Sequence, residues 1–219
     1  MTSRIYSALI LLFLSGSMFA CSDLEVTEQK SIINSSVQIG AKNWKKVQGE
    51  GITLKLPPGF EGGNPSKDIN TLEEQLKTVA PDYERKIAIL KQNPGAIALL
   101  AFDTQKSPQE GVTSINVRPE KLDEELTVKD YLEIAKEQIT PAYKIQEEEI
   151  TAIDGRKAGR ILAEAEKNDT QIKQLFYVVQ DGETFWLVTY STTSEEFEER
   201  LPDFEKSIES MELEAKELS

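Results

Sequence analysis

The chain has 219 residues, with 25 basic and 38 acidic side chains, a single cysteine and no histidine. Its net charge of -13 opposes nucleic-acid backbones and anionic lipid head groups, which require a basic surface. Without histidine there is no Ser-His-acid or Cys-His machinery and no histidine-held zinc or haem, and one cysteine cannot close an internal disulfide.

Arg4 precedes an apolar run over residues 5–14, and a short stretch of small and apolar residues then ends at Ala20. A basic start, an apolar centre and a small residue at the cut are the order of an export signal. As a helix, residues 5–20 span about 24 Å, short of a hydrocarbon core of roughly 30 Å. Cys21 follows directly, and Ala20-Cys21 resembles the lipobox of bacterial lipoproteins. That resemblance implies removal of residues 1–20, acylation of Cys21 (palmitate included) and attachment to a membrane through the lipid. Plain secretion with a free Cys21 thiol and an uncleaved anchor are the competing readings. Residues 21–40 read as a polar, flexible tether, residues 41–213 as one folded domain and residues 214–219 as a tail. A domain of about 175 residues suffices for one well-buried core and is too short for two large ones.

Residues 44–47 and 52–56 read as two short strands around Gly49-Glu50-Gly51. Ile52, Leu54 and Leu56 alternate with Thr53 and Lys55, the period of a half-buried strand. Pro57-Pro58-Gly59 ends the second strand, and residues 61–70 read as a loop. Thr71 and Glu74 have the spacing of a capping box. The apolar stripe Leu72, Leu76, Val79, Tyr83, Ile87 and Leu90 follows at helical spacing, interrupted at Pro81 and stopped at Asn93-Pro94-Gly95. Residues 96–102 form a strongly apolar strand suited to the sheet centre, and residues 112–117 form another. Thr127 and Asp130 form a second capping box, opening a helix whose inner side carries Tyr131, Leu132, Ala135 and Ile139. Residues 143–153 read as a strand with a polar face, turning at Asp154-Gly155 into residues 157–166. Two aromatic and β-branched runs within residues 171–190 flank Asp181-Gly182, the dipeptide favoured in a type I′ hairpin. Thr193 and Glu196 open a last helix, with Phe197, Leu201, Phe204, Ile208 and Met211 on one stripe and Pro202 placed in the first turn of its main segment. Helices interspersed with mostly antiparallel strands predict an α+β domain, a sheet covered by helices.

No glycine-rich phosphate loop or dinucleotide fingerprint follows any strand, so nucleotide binding is not expected, and Gly49-Glu50-Gly51 reads as a turn. Two acid runs, Glu147 to Glu149 and Glu195, Glu196, Glu198 and Glu199, are the available carboxylates. Catalysis by a carboxylate pair needs the two acids across a cleft, and adjacent acids on one segment face water instead. No loop has the spacing of a dedicated calcium site. No cofactor, metal site or catalytic residue is therefore assigned. Trp186 and Tyr190 share a face of the terminal hairpin while Phe185 takes the other. They are the candidate partner-contact residues, with core packing as the competing role.

Three stretches carry a family resemblance. Gly51-Ile-Thr-Leu-Lys-Leu-Pro-Pro-Gly-Phe60 resembles the opening strand of the PsbP-like family. Ser114-Ile-Asn-Val-Arg-Pro119 resembles its next characteristic strand. The hairpin over residues 172–189 with the final helix over 201–211 completes the likeness. It implies an α-β-α sandwich with a central antiparallel sheet. It also implies a non-enzymatic lipoprotein that faces the periplasm, the cell exterior or the thylakoid lumen. Such a protein binds or stabilises an envelope or thylakoid protein complex, with photosystem II as one case. The helical segment over residues 71–92 and the absence of histidine depart from the photosystem type. An extracytoplasmic binding module for a small apolar ligand or lipid is the alternative, marked by a pocket lined by Leu76, Ile87, Phe102 and Phe176.

Overall fold

Residues 43–80, 83–105, 112–122, 126–167 and 170–214 are described by the computed structural model. The expected signal segment, Cys21, the tether and residues 215–219 lie outside the described residues. The alternation at Ile52, Leu54 and Leu56 produces a strand with all three side chains fully buried, β2 (Ile52–Leu56), paired antiparallel with β1 (Lys45–Gln48). Seven further strands are β3 (Phe60–Gly63), β4 (Leu99–Asp103), β5 (Ser114–Lys121), β6 (Lys144–Ile153), β7 (Arg156–Lys167), β8 (Thr170–Asp181) and β9 (Thr184–Thr193). They form a single sheet in the order β3-β4-β5-β9-β8-β7-β6, every neighbouring pair antiparallel. The helices are α1 (Pro65–Val79), α2 (Tyr83–Gln92), α3 (Val128–Ile139) and α4 (Ser194–Glu209).

Successive side chains along a strand point to opposite faces, so each strand of the large sheet feeds two cores. Leu175, Tyr177, Val188 and Tyr190 meet Leu54 of β2 and Phe197, Phe204 and Ile208 of α4 on one face. Ile161, Phe176, Val178 and Leu187 meet Tyr131, Leu132, Ala135 and Ile139 of α3 on the other. Leu100 stands opposite Asn116, Asn116 opposite Thr189 and Thr189 opposite Phe176. The cluster of α1 and α2 around Leu72, Leu76, Ile87 and Phe102, with Leu100 packed against it, therefore covers the same face as α3, at the β3–β4 end. This is the expected α+β class, with helical layers on both sides of a large antiparallel sheet.

Several details depart from the sequence reading, each for a local physical reason. The first hairpin does not join the large sheet; with the two-residue β10 (Glu212–Leu213) it makes a small one, in the order β1-β2-β10. Residues 61–70 are not a loop: they finish β3 and begin α1. The cap of α1 is Asn64, whose side chain accepts from the Ser66 amide at 2.9 Å, with Pro65 at the first helical position. That pairing outcompetes the Thr71 box, because proline at this position loses no helical hydrogen bond. The apolar strand over residues 96–102 becomes β4, next to an edge, and β9 takes the centre. β4 is apolar because both its faces are covered. Asp154 and Gly155 both have positive φ, 50° and 72°, so the type I′ turn is at this hairpin. At the other, Asp181 pairs with Thr184, and the loop is Gly182-Glu183 with positive φ at Gly182 alone, the pattern of a type II′ turn. Thr193 caps α4 without a side-chain hydrogen bond, and Pro202 lies inside the helix, on its exposed side, where the carbonyl it leaves unpaired can be met by water. Pro119 is tolerated in an interior strand because the β4 ladder ends at Val117, leaving β5 a local edge there.

The capping box of α3 is formed as expected, with Thr127 and Asp130 bonding reciprocally. A buried charge pair fixes this helix to the sheet. Arg118 and Glu120, two apart on β5 and hence on one face, are ion-paired with side chains 8% and 5% exposed. The second Glu120 oxygen accepts from the Tyr131 hydroxyl at 2.5 Å, and the Tyr131 ring stacks on Phe185 at 4.7 Å. Burial lowers the Arg118 pKa and raises that of Tyr131, so the phenol keeps its proton and donates. Gly159 of β7 allows the close approach, since a Cβ there would lie 2.5 Å from Leu132 Cδ1.

Glu120→Ala leaves the Arg118 cation buried without its partner and is expected to cost about 3–5 kcal/mol. Tyr131→Phe keeps the ring stack, loses one charge-assisted hydrogen bond and is expected to cost about 1.5–3 kcal/mol. Gly159→Val overpacks the α3 contact at a cost of about 1–3 kcal/mol. Urea unfolding of the three variants checks the ranking; Glu120→Ala no worse than Tyr131→Phe contradicts the buried-charge account.

Candidate functional site

Trp186 and Tyr190 share a face, as their parity requires, and that face is the α4-side core. Trp186 is 8% exposed and Tyr190 is fully buried, with the Tyr190 ring 4.9 Å from Phe204 and edge-on to Tyr177 at 6.3 Å. Phe185 lies on the opposite face, in the α3 core. Cys21 is outside the described residues.

The α4 acid run does not converge on a cleft. Glu196 accepts from the Thr192 hydroxyl at 3.2 Å and lies 3.9 Å from Arg200, while Glu198 pairs with Lys173 at 3.2 Å. Arg200 also pairs with the buried Asp103 at the end of β4, so these charges tie α4 to the sheet. Gly49-Glu50-Gly51 is a contact between the two sheets. The Glu50 amide donates to the Ala98 carbonyl at 2.9 Å, and a Cβ on Gly49 would meet that oxygen at 2.5 Å. Among the described residues no group of three or more acids, cysteines or histidines could hold a metal ion, and no helix is long and apolar enough to cross a membrane.

The four residues expected to line a ligand pocket fall in two different cores. Leu76, Ile87 and Phe102 pack together under α1 and α2 and are almost fully buried, whereas Phe176 lies under α3. A small niche lies between α3 and the sheet, with Ala135, Ile139, Ile161, Phe176, Val178 and Leu187 among its walls and a volume of about 20 Å³. Such a void is the size of one water molecule.

The β6 edge is the surface that the sequence reading did not single out. β6 is the outermost strand on its side, paired with β7 alone among the described residues. Glu147 and Glu149 point to the α4 side, where both face Arg160 of β7, at 2.7 and 3.7 Å. Glu148 points to the other side and pairs with Lys136 of α3 at 2.7 Å. Burial disfavours the Arg160 cation, but hydrogen bonds to Glu147 and Tyr177 outweigh it and raise its pKa. The Tyr177 pKa is raised by burial first, against the hydrogen bond from Arg160, with the charges of Glu205 and Glu149 adding to the rise. Two carboxylates thus share one guanidinium. Ile150, beside Glu149, is 59% exposed.

No protein-family profile and no curated protein matches this chain. Solved structures do. The cyanobacterial PsbP (CyanoP) of Synechocystis sp. PCC 6803 aligns with 83% of this chain and 99% of its own length, at 11% identity and a TM-score of 0.52. LpqN of Mycobacterium tuberculosis, involved in cell envelope biogenesis, aligns with 80% of this chain and 93% of its own, at 13% identity and a TM-score of 0.51. The Ran-binding protein Mog1p of Saccharomyces cerevisiae aligns with 79% and 96%, at 12% identity and a TM-score of 0.48, and the fold argument rests on the first two. At these identities the likeness is one of fold: the chain has the architecture that cyanobacterial PsbP and LpqN share.

Proposed function

We propose that the chain is an extracytoplasmic binding module, held at a membrane by acylation of Cys21, whose partner is a protein of an envelope or thylakoid complex. The observation that carries this reading is how deeply the interior side chains are buried. Those of the cores under α1–α2 and under α4 are at most 8% exposed, and the niche under α3 holds about 20 Å³, against several hundred for an ordinary ligand pocket. Side chains buried this deeply leave recognition to the surface. The fold likeness to cyanobacterial PsbP and to LpqN supports the extracytoplasmic setting. A role beside photosystem II is the narrowest form of the reading and is supported by the first of those likenesses alone.

The α3 niche favours a second reading, binding of a small apolar ligand or lipid between helix and sheet. Its walls are of the right chemistry, and α3 would have to lift from the sheet to admit a ligand.

Cys21→Ser is expected to move the protein from the membrane fraction to the soluble fraction and to abolish palmitate labelling; unchanged fractionation contradicts the lipid anchor. Chemical cross-linking of the native acylated protein in its own membranes, read by mass spectrometry, is expected to give one protein adduct through surface residues. A co-purified apolar molecule with no protein adduct would favour the second reading instead.

A further inference from the structure

We propose that the outer edge of β6, unpaired among the described residues, docks an extended, basic segment of a protein partner, which adds to the large sheet as an eighth strand. The proposal rests on the binding-module reading above and gives it a place and a chemistry. A strand at the rim of a sheet leaves a row of amides and carbonyls unpaired, and natural edges are usually kept short or covered. The opposite rim follows that rule: β3 has four residues and runs directly through Asn64 into α1. β6 has ten residues, seven of them exposed. The irregularity between Ile145 and Glu147 leaves residues 147–153 as the continuous ladder, about 23 Å of extended chain.

Ile150 is the exposed large hydrophobic residue among those described. Its neighbour across the ladder is Gly159, which offers no side chain to cover it. An incoming strand would set an apolar side chain beside Ile150 on the α3 face and, by alternation, its next residues on the α4 face. There they would meet Glu147 and Glu149, both 57% exposed and sharing Arg160, with Glu205 close enough to act on Tyr177. That carboxylate excess selects lysine or arginine. It also rejects a second copy of this chain, because two β6 strands would bring their glutamate runs together at like charge. The acids therefore protect the edge against most strands and admit a basic one.

The test uses the full-length protein in detergent micelles and two fluorescent seven-residue peptides, one alternating lysine with valine and the other glutamate with valine. The lysine peptide is expected to bind and to slow deuterium exchange over residues 147–153; the glutamate peptide is expected not to bind. Ile150→Glu is expected to weaken the lysine peptide about tenfold, the loss of one apolar contact, although added negative charge alone would strengthen a purely electrostatic association. Binding that survives Ile150→Glu undiminished overturns the proposal. So does absence of binding at roughly 1 mM peptide, the result expected if residues 22–42 or a second copy already lay along β6. A partner cross-linked in membranes but seated away from β6 would overturn the edge proposal and leave the binding-module reading standing.

Discussion

β8 and β9 bury side chains on both faces, and that double burial governs the rest of the structure. Leu175, Tyr177 and Val179 go to one core, and Phe176 and Val178 to the other. A strand buried on both sides reads as an unbroken apolar run and demands a covering layer on each face. α4 and the small sheet supply one layer; α3, with α1 and α2, supplies the other. Once both faces are covered, the sheet has only its rims to offer, and one of those rims is four residues long. The location of a binding surface thus follows from packing, before any chemistry is considered.

Charge then decides what such a surface can accept. Buried ions in this domain serve attachment: Arg118 and Glu120 hold α3 through Tyr131, and Asp103 holds α4 through Arg200. Both pairs are shielded from water, where loss of one partner is far costlier than at the surface. The remaining acids are largely at the surface, consistent with a net charge of -13. On β6 they cluster around a single guanidinium, so the rim left open by packing is also the one with an unbalanced charge.

Much of the fold was legible in the sequence. Alternation at residues 52–56, the Thr127–Asp130 box and the helical stripe from Phe197 to Ile208 each report local periodicity, which survives in the tertiary structure; Met211, expected on the same stripe, lies past the end of α4 at Glu209 and joins the core from there. Trp186 and Tyr190 were correctly placed on one face with Phe185 on the other, because parity is local; how deeply each is buried depends on α4 and the small sheet, far away in sequence. β3 was missed because Phe-Glu-Gly-Gly has the composition of a loop and is a strand only through pairing with β4. Two Asp-Gly dipeptides gave different turns because the register of the flanking strands, not the dipeptide, fixes which residues are central. The polar face of β6 was read correctly, but its place at the rim could not be, since strand order is set by long-range pairing. The one available signal was Ile150 itself, an isolated large apolar residue directly after three glutamates.

Residue-resolved hydrogen exchange of the uncomplexed protein tests the central claim, a sheet sealed on both faces and open along one rim. Amides of β8 and β9 should exchange only when the whole domain unfolds, while the outward amides of β6 should exchange at close to unprotected rates. Protection of β6 equal to that of β9, or rapid exchange in β9, would contradict it.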